Sequence, residues 1–161
     1  MRDMYMTEQD FLPKEMPYQL FKVTWKTLQK VLGKEDAQKV FAKLGREIGK
    51  LFPTNQVTDA ASLATAVKKF LEKGFGMMTK VDITGDGKTI TFHNVGCYFC
   101  GPNTELRNEG GVPTCLFPSI VLEILQETRS VAPNLKFKNL KFNESHKPGP
   151  VGECVMKFNL A

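Results

Sequence analysis

An α+β domain, with an antiparallel sheet and helices packed on one of its faces, is the fold this sequence predicts, and three observations predict it. Apolar residues in the first half recur at helical spacing, while later stretches are rich in β-formers and punctuated by turn residues. The β-rich runs come in two pairs, each with a turn-forming stretch between its members. Strand–helix–strand crossovers are missing except around the fourth helix, which segregates hairpins from helices. The order read along the chain is α-α-α-β-β-α-β-β.

The first helix, over 17–32, places Leu20, Phe21, Thr24, Trp25, Leu28, Val31 and Leu32 on one amphipathic stripe, with Pro17 in its first turn and Gly33 just past its end. The second, over 35–52, lines up Val40, Phe41, Leu44, Ile48, Leu51 and Phe52 before Pro53 stops it. Gly45 and Gly49 interrupt this helix one turn apart, each at a cost of about 1 kcal/mol relative to Ala. A close approach by another element on that side is the expectation. A third helix starts at Thr58 or Asp59, a good N-cap, and runs through Leu63, Val67, Phe70 and Leu71 to Gly74, which suits a left-handed end.

After Gly74 the period changes. Residues 75–84 and 88–95 read as strands joined at Gly85-Asp86-Gly87, a strong hairpin signal. Residues 96–113, rich in Gly, Asn and Pro, read as a loop leading to a fourth helix, whose apolar face is Phe117, Ile120, Val121, Ile124 and Leu125. Pro118 falls in its first turn, where a missing N–H does no harm. Two last strands, 135–143 and 153–160, flank the turn-forming stretch from Lys147 to Gly152. No repeat, low-complexity tract or long linker divides residues 1–161, which read as one domain with 1–15 as an N-terminal extension.

A chain that is 42% hydrophobic and 24% charged is globular in composition, far from the disordered and fibrous classes. The net charge of +5 is scattered, usually with Asp or Glu nearby, which argues against a nucleic-acid partner. No run approaches the roughly 20 apolar residues of a membrane span, and the charged start of the chain does not read as a secretory signal. The cytoplasm is therefore the expected compartment. In a reducing compartment four cysteines more often hold metal or do redox chemistry than form two disulfides.

Those four are spaced Cys97-x2-Cys100-x14-Cys115-x38-Cys154, and none falls inside an amphipathic stripe. A Cys-x-x-Cys pair gives two thiolates to one ion, and two further ligands close a tetrahedron. Cys97, Cys100, Cys115 and Cys154 are thus the expected shell of one structural zinc ion. Cys115 stands at a helix start, which favours a thiolate by lowering its pKa. His146, eight residues before Cys154, is an alternative ligand for one of them, whereas His93 in mid-strand belongs to the sheet. Redox chemistry of Cys97 and Cys100 is a second reading, without the strand-then-helix setting of a thioredoxin-like motif; plain buried or disulfide-linked cysteines are a third.

Several stretches together resemble the 4-vinyl reductase domain family, the hydrocarbon-binding domains that share a fold with small subunits of the transport protein particle. They are Phe-Ala-Lys-Leu-Gly45-Arg-Glu-Ile-Gly49, Gly74-Phe-Gly76, Pro113-Thr-Cys115-Leu-Phe and Gly152-Glu-Cys154-Val-Met-Lys-Phe158. The resemblance implies zinc-holding roles for Cys115 and Cys154, because related phenol-sensing regulators use cysteines at those places. In that pattern the penultimate cysteine falls on His146 and a glutamate falls near Asn143 or Glu144, so Cys97 and Cys100 are read as drawing half of the shell from the other side.

The resemblance also implies an apolar cavity near the metal, for which Trp25, Phe41, Phe99, Phe117, Val121 and Phe137 are the candidate ligand contacts. The function expected is a zinc-containing domain that binds or senses a hydrophobic or aromatic small molecule, ligand entry biasing the 96–113 loop. An enzyme of reductase type acting on a tetrapyrrole-like or other apolar substrate is an alternative, and a dimeric scaffold that pairs through the first two helices is another. Four protein ligands leave zinc no open position, and the sequence carries no nucleotide loop, serine-nucleophile elbow or His-Glu-x-x-His helix; both points argue against catalysis.

Overall fold

The computed structural model describes residues 15–85, 89–131, 141–148 and 153–159. They form α1 (Glu15–Leu32), α2 (Lys34–Gly49), α3 (Ala60–Lys69), β1 (Lys80–Gly85), β2 (Thr89–Val95), α4 (Cys100–Asn108), α5 (Phe117–Val131), β3 (Lys141–Pro148) and β4 (Cys154–Asn159). The class is α+β. The strands make one antiparallel sheet in the order β1-β2-β4-β3, so the last strand enters between the first hairpin and β3.

Period-two alternation decides which face of the sheet is covered. Val81, Phe92, Asn94, Cys154, Met156 and Phe158 are buried, while the intervening Lys80, Asp82, His93 and Lys157 are half-buried or exposed. The register sets Phe92 opposite Met156 and Asn94 opposite Cys154. Phe117, at the start of α5, drops onto this face with its ring 5.4 Å from that of Phe92 and 6.5 Å from that of Phe158.

The expected close approach to Gly45 and Gly49 is made by α5. A Cβ added at Gly45 would lie 2.8 Å from the Leu116 carbonyl oxygen, and one at Gly49 would lie 2.6 Å from Glu123 Cβ and 2.7 Å from the Ile120 oxygen. Two bare turns of α2 thus let the helix backbones meet at a separation that side chains forbid.

Asp59 caps α3 as its residue type predicts. Its Oδ1 accepts the Ser62 N–H at 2.7 Å, and Ser62 Oγ accepts the Asp59 N–H at 2.9 Å, a reciprocal capping box. The Ser62 backbone and hydroxyl hold the Asp59 carboxyl below the usual aspartate range. A lowered carboxyl contributes stability above its unfolded pKa of about 3.9, and that contribution fades as the pH falls through the folded value. Asn caps as well as Asp but carries no charge. The Asp59→Asn chain is therefore expected to melt slightly below the wild type at neutral pH, the gap closing in acid; thermal melts across pH 2–7 check it.

Several expected boundaries move. The 96–113 segment is not loop throughout: it contains α4, because Pro102 lies early enough in the helix to be tolerated and Leu106 anchors the helix to the core. The first strand begins at Lys80 rather than 75. A π-helical turn, Phe70–Gly74, and the positive φ of 63° at Gly76 hold the intervening chain, with Met77 N–H bonded to the Leu71 oxygen at 3.0 Å. Helix α2 ends at Gly49, after which Leu51 and Phe52 make tight bonds to Ile48 and Gly49. Of the expected turns and strands, 86–88, 135–140 and 149–152 lie outside the described residues.

Candidate functional site

The Cys-x-x-Cys segment is aimed by the exit from β2. Gly96 takes φ +69°, and a Cβ there would lie 2.7 Å from Thr79 Cβ, so a glycine alone lets the chain turn off the strand at this point. The Cys100 N–H returns to the Cys97 carbonyl at 3.3 Å, closing the turn that opens α4. Within that turn the N–H groups of Phe99 and Cys100 point at the Cys97 sulfur.

Cys115 arrives on a short segment clamped by carboxamides and an indole. Gln29 of α1 donates to the Val112 oxygen at 3.0 Å and accepts its N–H at 3.4 Å, while Trp25 Nε1 donates to the same oxygen at 2.7 Å. Asn103 of α4 treats Thr114 likewise, donating to its oxygen and accepting its N–H at 2.8 Å. Lys22 and Lys26 of α1 pair with Glu105 and Glu109 around α4 and hold the two helices together. Cys115 is thereby delivered two residues ahead of α5, where the Phe117 N–H reaches its sulfur.

Cys154 opens β4 in the buried centre of the sheet, directly across from Asn94, whose Nδ2 donates to its sulfur at 3.4 Å. The Cys100 thiol is hydrogen-bonded to both Cys97 and Cys154. Cys100 and Cys115 line one pocket of about 90 Å³ with Phe99, Asn103, Arg107 and Pro113. Three stretches of the chain, carrying Cys97 with Cys100, Cys115, and Cys154, therefore bring thiols close enough to influence one another.

Their electrostatics divide the roles. The Cys100 thiol and then the Phe99 N–H favour charge on Cys97 and hold its pKa below the ordinary thiol value. Cys100 is pushed far up, because it donates toward Cys154 and Cys97 and a second negative charge beside them is unfavourable. The expected lowering of the Cys115 pKa is reversed. Burial of its thiol outweighs the N–H contact at the helix start and pushes the pKa up, with the neighbouring charge of Cys97 acting in the same direction.

None of the four cysteines is in a disulfide. As they stand, joined in part by thiol hydrogen bonds, no three or more His, Cys, Asp or Glu side chains among the described residues form a ready cage for an ion. The chemistry of the donor set nevertheless fits a soft divalent cation, since sulfur ligands backed by N–H donors are what such an ion selects. His146 lies on β3, two residues before Pro148, the backbone partner of Cys154; its side chain lies outside the described residues. His93 sits in the sheet as expected, on the outer face, 2.6 Å from Glu153 Oε1.

The proposed ligand contacts fall into two clusters. Trp25 and Phe41 meet edge to face at 4.4 Å, and Phe21 bridges Phe41 to Phe99 at 5.7 and 4.8 Å. Phe117 and Val121, both fully buried, belong to α5, and Phe117 touches the sheet. Phe137 lies outside the described residues. Sequence reasoning missed a larger apolar cavity of about 350 Å³ under α3, where Ala61, Ala64, Val67, Ile83, Phe92 and Leu125 face one another. The signal was there in Ala60, Ala61 and Ala64, small side chains on one helix that leave space in front of the sheet.

Searches for related sequences do not place the chain: no protein-family model matches it, and no curated protein does.

Proposed function

We propose that the chain is a zinc-containing binding domain for an apolar small molecule. The observation that carries this reading is the nearness of Cys100 to Cys97 and Cys154, with Cys115 close enough to feel their charge, supported by donors whose chemistry suits thiolates. Zinc there would tie together the end of β2, the start of α4, the start of α5 and β4, a structural role with no reaction routed through the ion.

The cavity under α3 supports the ligand half of the proposal, in size and in its apolar lining. It is mechanically joined to the cysteines. Phe92 and Ile90 of β2 line the cavity, and the next residue on the same face of β2 is Asn94, which touches Cys154. Leu125 lies on the helix that Cys115 precedes. A ligand that favours one placement of β2 and α5 thereby biases the cysteine site, as a two-state sensor requires. The reading agrees with the resemblance to the 4-vinyl reductase domain family.

Pairing of two copies is a second component, supported by exposed apolar side chains on α1 (Leu20, Val23, Val31) and α2 (Val40, Leu44). Native mass spectrometry of protein purified without chelator tests all three parts in one measurement. The expected result is one zinc per chain, a dimer mass, and an added mass that organic extraction removes. A metal-free native chain would refute the zinc reading, and a bare chain whose cavity takes up no apolar probe would refute the ligand reading.

A further inference from the structure

Asn94 is out of place by composition. It occupies the core face of β2, two residues beyond Phe92, is fully buried, and leaves its Oδ1 without a hydrogen-bond partner. An apolar side chain of the same shape would avoid that unpaired carbonyl. What the amide provides is its Nδ2, 3.4 Å from Cys154 Sγ. Turned over, the amide would set an acceptor against the sulfur, which suits a protonated thiol and opposes a thiolate. The donor orientation goes with the charged, metal-bound form.

We propose that Asn94 is a positioning residue for the metal, whose N–H···S bond holds the Cys154 thiolate in the bound state at the expense of an unpaired carbonyl. The inference rests on the zinc reading and adds to it a group that no spacing of ligands reveals. Partners of this kind around bound ligands typically change metal affinity by about ten- to a hundredfold. The metal-free protein is affected in the opposite direction, because replacing Asn94 by leucine removes a buried unpaired oxygen.

The test compares wild type, Asn94→Leu and Asn94→Asp, each stripped and titrated with zinc against a chromophoric chelator. Expected are a zinc affinity at least tenfold weaker for leucine, weaker again for aspartate, whose carboxylate faces the sulfur, and a metal-free melting midpoint for leucine equal to or above wild type. Loaded with cobalt(II) in place of zinc, the leucine chain should show its sulfur-to-metal charge-transfer band at longer wavelength, since the sulfur lone pair loses its hydrogen bond. A merely space-filling asparagine predicts neither the spectral shift nor the opposed signs. A leucine chain that loses less than tenfold overturns the proposal; if that chain does not fold, the aspartate chain is judged by the same threshold. A wild type that binds neither ion overturns the zinc reading together with this one, whereas a wild type that binds zinc beside an unaffected variant overturns this one alone.

Discussion

Replacing Cys154 by serine is expected to give a chain that no longer retains zinc through gel filtration and that unfolds well below the wild type. Cys154 is almost completely buried in the central pairing of β2 with β4, in hydrogen-bond contact with the Cys100 thiol, so no neighbouring loop can supply a replacement from solvent. An ion that binds the folded chain alone stabilises it by RT ln(1 + [L]/Kd), about 4 kcal/mol when free zinc is a thousandfold above Kd. That whole contribution disappears if the serine chain cannot bind. Chelator-treated wild type should then unfold close to the serine variant, and added zinc should raise the first and leave the second unchanged. Equal midpoints for wild type with and without chelator would remove the basis for the zinc site. Cys97→Ser and His146→Ala, compared in the same assay, identify which of the two completes the shell.

Gly49→Ala is expected to destabilise the fold by about 1–3 kcal/mol, although alanine is the better helix former by about 1 kcal/mol. The added methyl would stand 2.7 Å from the Ile120 backbone oxygen, and a backbone atom cannot rotate away as the end of a side chain can. Helices α2 and α5 must separate, and α5 is the helix that seats Phe117 on the sheet and follows Cys115. Urea unfolding reads the shift in midpoint at constant slope. An unchanged or raised midpoint would mean that the two helices pack with slack at this crossing.

Much of this architecture was legible before any coordinates. The stripe of α5, the Asp59 cap and the helical spans of α1 and α2 are local properties that hold in the folded chain, whereas Leu20, Val31, Leu32, Val40, Leu44 and Leu51 of the expected α1 and α2 stripes are exposed and the strand expected from 75 begins at Lys80. The close approach at Gly45 and Gly49 was also readable, because two glycines one turn apart inside a helix imply a neighbour, though not which one. Helix α4 was hidden. Gly101, Pro102 and Asn103 read as turn residues, and the helix they open buries only Pro102 and Leu106, too short a stripe to register as periodicity. The expected lowering of the Cys115 pKa failed for a related reason: position at a helix start is local, whereas burial is not.

By itself the sequence determined the class of the fold, the helix that follows Cys115 and the strand that carries Cys154, and the residue types that suit a thiolate-bound cation, since these follow from spacing and side-chain chemistry. Only the tertiary structure decided that β4 runs beside β2 and brings Cys154 opposite Asn94, that Gln29 and Asn103 carry Cys115 to the same place, and that the cavity opens under α3. Partners tens of residues apart are chosen by which faces must leave water together, and that choice belongs to the whole chain at once.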